Sequence, residues 1–334
     1  MKAIYMCGNP AAIDRSYSPE VRQTLSGRLE FPPEIITKAN LAQYTDFLKE
    51  TSFIFSTWGM IALDERFIRE SLPRLEAVFY GAGSVQGFAR PFLNCGVRVV
   101  SAWMANAVPV AEVTVAQIIL ANKGYFQMMS KIKDPLSYKG ANSMKNSFGG
   151  NFVNTVGILG AGAIGKKVIE LLKSYNLKIL VFDPFLPDET AARLGVSKRT
   201  LDEVFAESGV ISNHLADNEQ TAGMITKKQF DLMRDNAAFI NTGRGAQVIE
   251  ADMIAAMKDS PGRIALLDVT HPEPPLPGSE LYTAPNIFIS PHFAGSTGTE
   301  PLRHGEYMRD EFLLYSSEKK LRYSVTLEML ETMA

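Results

Sequence analysis

The chain has 334 residues, 46% hydrophobic and 21% charged, which is enough for two domains with separate cores. A formal charge of −2 and a pI near 6.2 exclude a field that would gather nucleic acid or an anionic membrane, leaving small molecules or a second copy of the chain as partners. Two cysteines, Cys7 and Cys95, offer neither a disulfide framework nor a metal-ligand cluster, so the expected setting is a reducing cytoplasm and no metal is expected.

Residues 2–6 are apolar but are soon followed by Asn9-Pro10, the pattern of a first strand and not of a signal-peptide core. Residues 52–56, 75–80 and 97–101 read as further strands alternating with helical patterns, the rhythm of parallel α/β units. A long helix is expected from near Ala107 toward Met129, with Pro109 in its first turn. No window of about 18 uncharged apolar residues occurs, so no membrane span is expected. Residues 134–154, rich in Lys, Asn, Ser and Gly and without a period, read as an exposed connection.

From residue 155 the rhythm becomes regular. Strands are expected at 155–159, 178–182, 210–213, 237–241, 263–268 and 287–290, and Thr200 with Glu203 has capping-box spacing for one intervening helix. Six strands with crossover helices suggest a doubly wound sheet. A polar helix over 300–317 is expected to return to the first domain. The expected domains are 1–106 plus 296–334, and 107–295.

Gly160, Gly162 and Gly165 have G-x-G-x-x-G spacing, directly after a strand and at the opening of a helix. That spacing allows a tight turn, a close approach of pyrophosphate to the backbone, and close packing of helix on strand. Asp183 ends the next apolar run, where a carboxylate accepts hydrogen bonds from ribose hydroxyls and repels a 2'-phosphate, favouring NAD over NADP. Further on, Asn241-Thr242-Gly243-Arg244-Gly245, Asp268, Glu273 and Pro291-His292 bring an arginine, two carboxylates and a histidine to the ends of apolar runs.

Together with the glycine fingerprint, the motifs Asn241-Thr242-Gly243-Arg244-Gly245, Leu267-Asp268-Val269, Glu273-Pro274 and Ser290-Pro291-His292-Phe293-Ala294-Gly295 resemble the D-isomer-specific 2-hydroxyacid dehydrogenases, in order over residues 81–298. The resemblance implies two Rossmann-like or flavodoxin-like α/β domains with doubly wound parallel sheets and an interdomain active-site cleft, the NAD domain at 107–295 and the substrate domain at 1–106 plus 296–334. It implies that Arg244 binds the substrate carboxylate and that His292 is the general acid and base, a role suited to an imidazole near neutral pH. Glu273 would pair with His292, fixing the ring and favouring its charged form. Ala163, Ile164, His214, Thr242 and Asp268 would join Gly160, Gly162, Gly165 and Asp183 around NAD. Gly83, Ser84 and Asn106 would contact the substrate, although Asn106 also suits an N-cap of the long helix.

The chain departs from the family at Ala216, where proline is common, and in 134–154, which lacks the usual tryptophan. Trp58 and Trp103 read as pocket lining or core, His271 as exposed, and His304 as part of the return helix. The expected activity is NAD(H)-dependent interconversion of a 2-oxo acid and a D-2-hydroxy acid by a homodimer. A corepressor-like NAD sensor on the same fold and a phosphite or formate dehydrogenase are the alternatives, with Glu273 weighing against formate.

Overall fold

A computed structural model describes residues 1–331; the last three residues of the expected 296–334 segment lie outside them. The chain divides into two compact units, Met1–Asn106 with Ser296–Ala334, and Ala107–Gly295.

The first unit opens with β1 (Lys2–Tyr5), then α1 (Pro10–Ser16), α2 (Pro19–Ser26), α3 (Thr45–Lys49), β2 (Thr51–Ser56), α4 (Glu65–Ser71), β3 (Ala77–Tyr80), α5 (Ala89–Asn94) and β4 (Arg98–Ser101). These strands are short apolar runs, and β2 and β3 are buried along their whole length, as expected for a parallel sheet covered on both faces. The expected helix begins at Trp103, not near Ala107: α6 spans Trp103–Asn122 with Pro109 in its interior. Buried Ala102, Ala105 and Ala107 favour the earlier start, and proline's fixed φ fits a helix at the loss of one backbone hydrogen bond. The helix does not reach Met129, because Gly124 turns left-handed (φ 68) and a separate α7 follows at Tyr125–Lys131.

Residues 134–154 also differ from expectation. They contain α8 (Pro135–Ser143), started by a capping box in which Asp134 accepts from the Ser137 backbone and the Ser137 side chain reaches back. The Asp-Pro-x-Ser signal was present but outweighed by the Gly- and Asn-rich composition. Next come β5 (Phe152–Leu159), α9 (Ala163–Leu172), β6 (Asn176–Phe182), α10 (Asp188–Leu194), β7 (Ser197–Lys198), α11 (Leu201–Glu207), β8 (Val210–Asn213), α12 (Lys227–Leu232), β9 (Ala238–Asn241), α13 (Glu250–Asp259), β10 (Ile264–Leu267) and β11 (Ile287–Ile289). Thr200 and Glu203 do form a capping box on α11. The sheet has seven strands where six were expected, since two-residue β7 is too short to show a period. The chain ends with α14 (Pro301–Ser316) and β12 (Ser324–Val325) in the first unit.

Both sheets are parallel α/β sheets, as the sequence implied. The first runs β1-β2-β3-β4-β12 with only β12 antiparallel. The second runs β11-β10-β9-β8-β5-β6-β7, all parallel, so the direction of winding reverses at β5. Ligands of such sheets bind beyond the carboxyl ends of the strands at the reversal. Each sheet is sandwiched between two apolar clusters. α6 has the length and mean hydropathy of a membrane span, yet it follows β4 directly and contributes Ala111, Ile118 and Ala121 to a core cluster.

Candidate active site

The glycine turn lies at the winding reversal, between β5 and α9. Gly160 has φ +85, and a side chain there would come 2.7 Å from the His214 carbonyl oxygen. A Cβ on Gly165 would overlap the Gly160 carbonyl, so helix and turn pack backbone to backbone. Gly162 faces open space, and α9 begins at Ala163 and Ile164 with no side-chain cap, leaving the amides of its first turn for a ligand. Asp183, just past β6, is tied to this turn: Oδ2 accepts from the Ala161 amide at 2.8 Å and Oδ1 from the Phe185 amide at 2.9 Å.

His214, just past β8, is buried, with Nε2 3.0 Å from Ser212 Oγ and Nδ1 without a partner among the described residues. Burial pushes its pKa down to about 3, so the ring is neutral at physiological pH. The loop after it, where Ala216 stands in place of the family's proline, is held by side-chain hydrogen bonds. Gln247 Nε2 donates to the Leu215 and Ala216 carbonyls, both at 2.8 Å, and Thr221 Oγ1 donates to the Ala216 carbonyl at 2.6 Å.

Three adjacent strands carry the remaining groups. In register, Asn241 of β9 faces Leu267 of β10, which faces Ile289 of β11, so the loops after all three leave the sheet at one level. Arg244 follows β9 on a loop braced by a buried amide network. Asn213 Nδ2 donates to Asn241 Oδ1 (3.1 Å) and Gln247 Oε1 (2.5 Å), Asn241 Oδ1 accepts from the Gly243 amide (3.0 Å), and Asn241 Nδ2 donates to the Arg244 carbonyl (3.0 Å). The guanidinium donates from Nη1 to the Gly243 carbonyl at 2.8 Å, and its Nε is 4.0 Å from the Asp217 carboxylate, the limit of an ion pair. Thr242 is buried, its hydroxyl 3.0 Å from that of Thr114.

Gly245 packs so closely on the Thr270-His271 backbone that a Cβ would overlap it, which joins the Arg244 loop to the one carrying Glu273. Asp268, 3% exposed at the end of β10, accepts from Ser290 Oγ (2.6 Å) and from the amides of Phe293 (2.9 Å) and Ala294 (2.9 Å). One carboxylate therefore shapes the turn that holds His292. His292 itself sits at φ 50, an uncommon backbone region that such bracing sustains. Its Nδ1 lies 2.7 Å from Glu273 Oε1. A carboxylate only accepts, so Nδ1 carries the proton and Nε2 is left for another partner.

In the first unit, Gly83 and Ser84 follow β3 on a loop held by Thr57 Oγ1 to the Gly81 carbonyl (2.7 Å) and by Ser101 Oγ to the carbonyls of Ala82 (2.9 Å) and Gly83 (2.6 Å). Asn106 is no N-cap: it lies within α6, and its Oδ1 accepts from the amide and hydroxyl of Ser296, both at 3.3 Å. Trp58 is half-exposed beside His304, their rings 4.8 Å apart, whereas Trp103 packs on the core and on Tyr323. His304 is fully buried on α14, and His271 is exposed.

Residues 116–294 match the family model described as the D-isomer specific 2-hydroxyacid dehydrogenase, NAD binding domain. The chain belongs to this family. Among D-isomer specific 2-hydroxyacid dehydrogenases and their relatives, it is 30% identical over 236 residues to D-3-phosphoglycerate dehydrogenase of Archaeoglobus fulgidus, which is 71% of this chain and 44% of that one. It is 31% identical over 165 residues to glyoxylate reductase of Aeropyrum pernix, covering 49% of each. The chain thus spans about half the length of the curated relatives it matches. The crystal structure of a D-isomer specific 2-hydroxyacid dehydrogenase from Lactobacillus delbrueckii ssp. bulgaricus, in its NAD-complexed form, superposes with a TM-score of 0.76 at 19% identity over 98% of this chain and all of that one, a likeness of fold.

NAD is the cofactor of the matched domain. The residues present fit it: the open approach at Gly162 and the uncapped start of α9 suit a pyrophosphate, and no basic side chain replaces Asp183. Sequence reasoning missed the bracing residues Asn213 and Gln247. Their signal was faint, an amide at the end of each of two apolar runs and a glutamine six residues beyond Asn241, and only packing shows that they meet.

Proposed function

We propose that the chain is an NAD(H)-dependent oxidoreductase that interconverts a 2-oxo acid and a D-2-hydroxy acid. The observation that carries this reading is the 2.7 Å contact of His292 Nδ1 with Glu273, on a loop whose neighbour along the sheet carries Arg244. Bound NADH supplies the hydride that the carbonyl carbon receives. Gly160, Gly162, Gly165, Ala163 and Ile164 hold its pyrophosphate, Asp183 its adenosine ribose, and His214, Thr242 and Asp268 border the rest. Arg244 pairs its forked guanidinium with the substrate carboxylate, orienting the keto group and favouring charge on its oxygen. His292 delivers the proton to that oxygen from Nε2, and in the reverse direction takes it from the hydroxyl. Glu273 holds the ring in that tautomer and stabilises the imidazolium. Gly83, Ser84 and Asn106 are further substrate contacts in this reading.

A homodimer in the cytoplasm completes the reading. α8 buries only Ala141 and leaves Leu136 and Tyr138 exposed, and Tyr125, Met129 and Phe152 are exposed on neighbouring elements of the same unit. So short a helix does not persist on its own hydrogen bonds, and a second copy covering these exposed apolar side chains supports it.

The test is NADH oxidation across a panel of 2-oxo acids. Arg244→Ala should lower kcat/KM by roughly a thousandfold on every acid, the scale of losing a charge-stabilising donor, with NADH binding retained. Wild-type-like turnover in that variant would sink the assignment, and an NAD sensor would bind NADH without consuming it.

A further inference from the structure

The loop that carries Glu273 is short of backbone donors. In His271-Pro272-Glu273-Pro274-Pro275 three of the five residues are prolines, so only His271 and Glu273 have an amide N–H to offer. The His271 amide donates to Glu250 Oε1 at 2.7 Å, across 21 residues of sequence. Pro272 alone separates that anchor from Glu273, and its ring fixes φ, so the direction set at His271 carries forward to the carboxylate. Two further restraints hold the ends of the loop: Gly245 packs on the Thr270-His271 backbone, and Tyr282 Oη donates to the Pro275 carbonyl at 3.0 Å. The packing at Gly245 sets how near the two backbones come. The hydrogen bond to Glu250 sets which way the His271 peptide faces.

Glu250 is placed for this task by its own element. It is half-buried as the first residue of α13, six positions beyond Arg244, so the segment that presents the guanidinium also holds the loop of Glu273. A carboxylate in a first turn commonly serves its own helix, and Ile249 gives α13 no side-chain cap. Glu250 nevertheless accepts its hydrogen bond from the neighbouring loop. Burial raises its pKa, while the His271 backbone bond and the charge of the His271 ring pull the other way.

We infer that Glu250 is a positioning residue: through the His271 amide its carboxylate keeps Glu273 on His292 Nδ1, and so leaves Nε2 free for proton transfer. The inference rests on the reading of Glu273 and His292 as the proton-transfer pair. Without the anchor the loop moves, Glu273 leaves the ring, and the tautomer with its proton on Nε2 becomes populated. In that form Nε2 cannot take a proton from a hydroxyl.

Three variants separate this role from support of α13. Glu250→Ala removes the hydrogen bond. Glu250→Asp keeps the first-turn charge but falls one methylene short of the loop. Glu250→Gln loses the charge and keeps an acceptor oxygen at full reach. NADH oxidation is measured with the most reactive acid of the 2-oxo-acid panel, and the His292 tautomer is read from its ring nitrogen NMR shifts, which need no turnover. The Ala and Asp variants should each lower kcat roughly tenfold, the scale of losing one hydrogen bond to a charged group, with KM for acid and NADH within about twofold. Both should move the ring shifts away from the Nδ1–H form. The Gln variant should keep that form and hold kcat within about threefold of wild type. If the Ala variant does not fold, the Asp and Gln pair carries the same comparison. An Asp variant that behaves as wild type would confine Glu250 to the start of α13 and overturn the inference, as would a Gln variant as impaired as Ala. If turnover is normal while kcat and the ring shifts ignore all three substitutions, the inference is overturned and the oxidoreductase reading stands. If wild type reduces no 2-oxo acid but the ring shifts follow Ala and Asp and are restored by Gln, the oxidoreductase reading falls and the positioning role stands.

Discussion

Replacing Asp268 with alanine tests how the fold delivers His292. The carboxylate accepts three hydrogen bonds from the β11 end and the following turn, at 2.6, 2.9 and 2.9 Å. Hydrogen bonds to a charged group contribute about 1.5–3 kcal/mol each, but the turn is open to solvent at His292 and Phe293, so water recovers part of the loss. A net destabilisation of about 2–4 kcal/mol is expected for the second unit. The catalytic effect follows from the φ of 50 at His292, a conformation about 1–2 kcal/mol above the ordinary helical region. Once Phe293 and Ala294 lose their anchor, the turn relaxes toward negative φ, and a bias of that size, at about 1.4 kcal/mol per factor of ten, lowers kcat roughly five- to thirtyfold. Urea unfolding, amide exchange at Phe293 and Ala294, and kcat should all move together. Unchanged exchange at those two amides with kcat within about twofold of wild type would refute the reasoning.

Gly245→Ala places a methyl group against the Thr270-His271 backbone, which has no side-chain end to yield; the two loops should separate, with kcat falling at least as much as stability, read by kinetics and urea midpoints. A loss of stability alone would mean that the Arg244 and Glu273 loops act independently. His214 and His304 are held neutral, at about 3 and about 4 against 6.5 when unfolded. The unfolded chain therefore binds more protons below pH 6.5, and between pH 7 and pH 5 each unit should lose about 2 kcal/mol. Urea denaturation at the two pH values checks this, with His214→Gln and His304→Gln flattening the slope of their own units; a slope unaffected by both variants contradicts it. Leu136→Glu combined with Tyr138→Glu should convert the dimer to monomer in light scattering, and a wild-type monomer would remove the proposed interface.

The sequence by itself determined the α/β class, the strands other than the two-residue β7 and β12, and the order of the chemical groups, because buried parallel strands are short apolar runs and the residues after them are read directly. Gly160, Gly165 and Asp183 were legible for the same reason: a turn that must pass close to a helix leaves glycine behind, and the carboxylate ends the next strand. Local signals failed where two of them conflicted. Pro109 pointed to a helix start that the alanines around it placed four residues earlier, and a polar composition hid the capping box of α8. What only the tertiary structure decided is which groups meet across long stretches of chain. Glu273 reaches His292, Asp268 braces the turn between them, and Asn213 and Gln247 support the Arg244 loop, because adjacent parallel strands bring together the ends of segments that sequence keeps apart.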